Sequence, residues 1–218
     1  ELADVLRTNR LPAAYVYPRA LRAVRTLLRR RLHFVWMRAD LRVRPEFRAR
    51  VLAHKKNRQL PIGAHATLYF EDALTMQYQV QEMLRLERMF EPEPIQEELD
   101  VYNPLIPDGH NWKATFMVEY GDENERRDAL TRLIGIEKKV WVQVDGCGKV
   151  YPIANEDLER ETEDKTSAVH FMRFELTPQM IAAAKGGATI RAGIDHDLYR
   201  ESVTVPPAVR DSLVADLS

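Results

Sequence analysis

The sequence predicts an α+β fold: a mostly antiparallel sheet with helices packed on one face, plus a helical N-terminal segment. Two observations predict it. Apolar runs with strand-like alternation are separated by short helical patterns in the stretch after residue 60. Asp145-Gly146-Cys147-Gly148 joins two such runs through a tight turn, and hairpins imply antiparallel pairing.

The elements follow in order. Pro45 and Glu46 suit the first turn of a helix, and His54-Lys55-Lys56 suit its last. Gly63 marks a turn before a strand over 66–72. The apolar spacing of Met76, Val80, Met83 and Leu84 predicts a helix over 75–90, broken at Glu91-Pro92. A short acid-rich helix begins at Pro94. Asn103-Pro104-Leu105-Ile106-Pro107-Asp108-Gly109 reads as a rigid loop, because its prolines fix φ. Strands are expected over 113–120, 140–144, 149–153, 167–176 and 188–194. Helices are expected over 122–133 and from Thr177-Pro178 to Gly186, with a terminal helix from Pro207.

Composition bounds the function. The 218 residues are 45% hydrophobic and 30% charged, a globular balance without the apolar run of roughly 18 residues that a membrane helix needs. One cysteine, Cys147, cannot form an internal disulfide, so a reducing, cytoplasmic setting is expected. Net charge is −1 but uneven. Residues 1–60 hold 16 Lys and Arg against 4 Asp and Glu, a net of +12, and the remainder carries −13. Two units are expected: a basic N-terminal extension, 1–40, and one α+β domain, 41–218. Three readings of the extension stay open: a non-native or disordered leader with translation starting near Met37, a functional basic arm, and an ordinary solvated helix. Nucleic-acid binding through this basic third is the weakest functional reading, since the run lacks aromatics of the kind that stack on bases.

No glycine-rich nucleotide loop, Gly-x-Ser-x-Gly elbow, His-Glu-x-x-His or Cys-x-x-Cys is present. Three polar clusters remain. On the 75–90 helix, Glu82 and Arg85 are spaced to share a face and are candidate acid/base and anion-holding groups. Around the prolyl loop, Glu98, Asn103, Asp108, His110 and Lys113 offer oxygen, imidazole and ammonium groups. Glu98 with His170 is a candidate pair for a divalent ion such as iron, manganese or zinc. In the third cluster, strand alternation puts His170 on one face with Met172 and Phe174, and Arg173 on the other with Phe171 and Glu175. The core reading of His170 competes with a role as base or ligand; Arg173 is a binding candidate.

Several strings resemble a bacterial family of uncharacterised proteins, domain-of-unknown-function family 3501. They are Phe70-Glu71-Asp72, Gln79-Val80-Gln81-Glu82-Met83-Leu84-Arg85 with Glu87-Arg88, Gln96-Glu97-Glu98-Leu99, Tyr102-Asn103-Pro104-Leu105-Ile106-Pro107-Asp108-Gly109, Lys113-Ala114-Thr115 and Lys165-Thr166-Ser167-Ala168-Val169-His170-Phe171. The likeness spans about residues 44–196. It implies an association with rubrerythrin-like and iron–sulfur reductase-like neighbours. The expectation is therefore an accessory protein of a redox-stress pathway that binds a partner or a metal ion. The alternative is a small enzyme with a pocket between the Gln79–Arg88 helix and the Asn103–Lys113 loop.

Overall fold

The computed structural model describes residues 44–87, 92–156 and 164–218. The expectations for the N-terminal extension fall outside those residues. Six helices and nine strands are described: α1 (Arg44–Lys56), β1 (Gln59–Pro61), β2 (Ala66–Glu71), α2 (Ala73–Leu86), α3 (Pro92–Tyr102), β3 (Asn111–Val118), α4 (Glu123–Arg132), β4 (Val140–Val144), β5 (Lys149–Val150), β6 (Ile153–Ala154), β7 (Val169–Glu175), α5 (Pro178–Lys185), β8 (Ile190–His196), β9 (Tyr199–Thr204) and α6 (Pro207–Val214). The α+β class holds, with every strand pair antiparallel. The strands divide into two sheets rather than the expected one, ordered β1-β2-β3-β7-β6 and β5-β4-β8-β9.

Local chemistry explains the element ends. Asp72 caps α2, its carboxylate accepting from Thr75 N–H while the Thr75 hydroxyl accepts from Asp72 N–H. Asp122 caps α4 and Thr177 caps α5, which opens on Pro178. The β9 strand was not expected from the sequence. It is an edge strand with Arg200, Glu201 and Ser202 exposed, so the apolar alternation that signals a strand is missing.

The inner faces of both sheets feed one apolar cluster. Leu68, Phe70, Trp112, Phe116, Met172 and Phe174 come from the first sheet, and Val140, Val142, Ile190 and Ile194 from the second. Helices α5 and α6 close it with Met180, Ala184, Val209 and Leu213. The indole N–H of Trp112 donates to Leu213 O at 3.0 Å, which ties α6 to β3. Helices α2 and α3 have a second, smaller core of Met76, Val80, Leu99 and Ile106. This layer lies over the outer face of the first sheet, where Thr75 at the start of α2 reaches Glu71 and the main chain at Pro104 reaches Lys113.

An ion cluster staples the layers together. Arg58, 2% exposed, donates to the carbonyls of Phe70 and Glu71, to Ser212 and to Asp216, with Asp72 3.4 Å away. His54 reaches the same Asp72 carboxylate at 2.5 Å. Burial pushes the Asp72 carboxyl up, but Arg58, the Thr75 N–H and His54 together outweigh it and hold it below its ordinary range. At Asp216 burial wins over Arg58, and its carboxyl is raised.

Candidate functional site

Antiparallel register builds a row of side chains across the outer face of the first sheet. Glu71 pairs with Lys113, Lys113 with Arg173, and Arg173 with Ile153. Cross-strand partners share a face, so these four residues from β2, β3, β7 and β6 stand side by side. Glu71 is nearly buried. Its carboxylate accepts from the Thr75 hydroxyl at 2.6 Å and the Thr115 hydroxyl at 2.8 Å.

Lys113 donates to Pro104 O at 2.8 Å. Burial pushes its ammonium below the ordinary lysine range, and the neighbouring Arg173 adds to that. Arg173 clamps Glu156 with two bonds, at 2.8 and 2.6 Å, and also donates to Glu175. Those bonds raise the guanidinium and hold Glu156 below the usual carboxylate range. Buried Asn111 extends the chain by donating to Glu175 at 3.1 Å.

The sequence candidates separate into two groups. Lys113, Arg173, Asp108 and Asn103 come together at this face. Asp108 accepts from His110 N–H at 2.9 Å, and burial of its carboxyl is outweighed by that bond, Asn111 and the nearby cations, so it sits low. The Asn103 side-chain oxygen, beside Pro104, is buried without a hydrogen-bond partner among the described residues. Glu82 and Arg85 pair with each other at 3.1 Å along α2.

His170 does not join them. It is fully buried on the inner face, where strand alternation placed it. Its Nε2–H donates to Ser167 O at 3.0 Å, with the Thr166 hydroxyl at 3.1 Å, and its Nδ1 accepts from the Asn155 amide at 3.2 Å. Glu98 is half-buried on α3, in the helical layer on the other side of the sheet. The sheet therefore stands between the two halves of the expected metal pair. Among the described residues no group of three or more His, Cys, Asp or Glu side chains is placed to hold a metal ion.

Glu71, Thr75, Thr115, Asn111, Glu156 and Glu175 were not singled out in the sequence as site residues. A signal existed for two of them: Glu71 and Thr115 lie within strings that carry the family resemblance. Glu71 also shares a strand face with Thr67 and Tyr69.

The fold and this charged face define a two-sheet α+β protein with a helical layer over one sheet. The chain belongs to the family described as "Protein of unknown function (DUF3501)", whose model matches residues 34–217. It is also similar to a crystal structure of a novel protein of unknown function from Burkholderia pseudomallei. The two are 51% identical, the match covers 83% of this chain and 94% of that one, and the TM-score is 0.78. No curated protein matches the chain. Among the described residues no helix is long and apolar enough to cross a membrane.

Proposed function

We propose that the chain is a non-catalytic accessory protein of a bacterial redox-stress pathway, binding a rubrerythrin-like or iron–sulfur reductase-like partner. One observation supports the binding reading: the charged groups of the outer face are each held by hydrogen bonds. Arg173 is held by Glu156 and Glu175, Lys113 by a carbonyl, and Glu71 by two threonines. Groups held this way keep a shape more readily than they shuttle protons. Beside them Ile153 stands 45% exposed on the two-residue edge strand β6. An apolar edge residue rimmed by fixed charges suits a protein interface. The pathway itself rests on the family resemblance.

The test is biolayer interferometry of the purified chain against a rubrerythrin-like protein and an iron–sulfur reductase-like protein, the partner classes the family resemblance implies. Saturable binding, lost in Arg173→Glu and Ile153→Asp, is the expected result. No binding to any of these proteins sinks the reading.

A second reading is favoured by Glu71 and Lys113. A nearly buried carboxylate stands across from an ammonium with a lowered pKa, beneath the α2–α3 layer. That pairing would serve acid/base chemistry on a small substrate. A metabolite-library thermal-shift screen tests it: a ligand that stabilises the wild type but not Lys113→Met supports an enzyme. Elemental analysis for iron, manganese and zinc tests the metal-binding version, with stoichiometric metal lost in Glu98→Ala as the supporting result.

A further inference from the structure

Away from the charged row, the turn between β1 and β2 meets β9 and the end of β3, and the corner gathers aromatic rings and carboxylates. Gly63 makes the turn at φ +71°. A Cβ there would stand 2.6 Å from the Tyr199 hydroxyl and 2.9 Å from Glu201 Cγ, so glycine lets β9 side chains lie directly over the turn. The Tyr199 hydroxyl donates to Ile62 O at 2.8 Å and accepts from His65 N–H at 3.0 Å. The His65 ring stacks on Tyr120, with centroids 4.0 Å apart and planes 9° from parallel. Its Nδ1–H donates to Glu119 O at 3.1 Å. The Tyr69 hydroxyl donates to the Glu119 carboxylate at 3.2 Å.

The rings are half-buried, while Glu119 and Glu201 are exposed. Among the described residues neither carboxylate is paired with a lysine or arginine. Burial, first of all, raises the phenols of Tyr69 and Tyr199, so both rings stay neutral. Asp122, Glu123 and Glu125 follow Tyr120 closely in the chain. Aromatic faces carry negative potential, and a planar guanidinium both stacks on such faces and pairs with carboxylates.

We propose that this corner recognises an arginine side chain presented by a basic segment of a partner protein. The site is separate from the charged row and stands without the redox-pathway reading.

The test is fluorescence anisotropy at low salt, titrating the full chain into labelled octa-arginine, octa-lysine and octa-glutamate. Octa-arginine should bind best and octa-glutamate should not bind. The double variant Glu119→Gln/Glu201→Gln should weaken octa-arginine roughly tenfold, while Glu93→Gln/Glu97→Gln, an equal charge change on α3, should shift it less than about twofold. Tyr120→Phe, which keeps the ring face, should bind like wild type. Equal losses in the two double variants would show general acidic attraction and overturn the proposal. So would equal binding of octa-lysine, or NMR shifts spread away from residues 63–69, 119–125 and 199–201. Loss of a partner through Arg173→Glu reports on the charged row and leaves this site untouched.

Discussion

Replacing Arg58 by methionine is the sharpest test of how the layers are joined. The guanidinium is almost fully buried and donates to two β2 carbonyls, to Ser212 and to Asp216, with Asp72 close by. Methionine keeps much of the volume and removes every donor. Two carboxylates, each about four-fifths or more covered, then lose the guanidinium that joins them, while His54 stays beside Asp72. Removing one side of a buried ion pair costs about 3–5 kcal/mol, because the remaining charge stays desolvated. For a chain of this size that corresponds to roughly 6–20 °C in melting temperature. Urea unfolding followed by tryptophan fluorescence reads it directly, since Trp112 bonds to α6, the helix that carries Ser212. A loss below about 1 kcal/mol, the scale of an exposed pair, would refute a buried staple. Asp216→Asn should cost clearly less than Arg58→Met, since burial already disfavours the Asp216 charge.

Three further outcomes are expected. Asp72 and Asp216 should act in opposite directions on acid stability. The depressed Asp72 carboxyl contributes stability present above its unfolded value and lost as pH falls through its lower folded value, so Asp72→Asn should flatten the acid limb of a stability–pH curve. The raised Asp216 carboxyl costs stability at neutral pH and relieves that cost as pH falls through its raised folded value, so Asp216→Asn should remove a gain that appears on acidification before the ordinary carboxylate range is reached. His170→Ala should lower stability by about 2–4 kcal/mol, through a cavity and stranded partners at Ser167 and Asn155, without changing metal content; calorimetry with elemental analysis checks both. Gly193→Val should cost about 1–3 kcal/mol and expose Trp141, seen as a red shift in emission, because a Cβ there runs into the Trp141 ring.

Much of the fold was legible because local rules act locally. Prolines, capping residues and basic last turns marked helices α1, α4 and α5 to within a residue or two, and the Asp145–Gly148 turn marked its hairpin. Strand alternation assigned His170 to the core face and Arg173, with Glu175, to the other. Where the apolar signal failed, elements were missed. Arg200 and Glu201 disguised β9, and β1 is only three residues long and ends on Pro61.

The candidate site was harder to read, for a different reason. Alternation tells which residues of one strand share a face, but not which strand lies beside it. Lys113 and Arg173 are sixty positions apart, and only the β3–β7 register sets them shoulder to shoulder. Glu71 gained its place through that same pairing and through Thr75 at the start of α2. His170 and Glu98 looked like a ligand pair by residue type, and the sheet standing between them separates the two. The sequence by itself determined the class, most of the elements and the face each strand residue takes. The tertiary structure alone decided that the strands form two sheets and which charges meet, because long-range pairing and the shared core set strand neighbours, and local propensity carries no record of them.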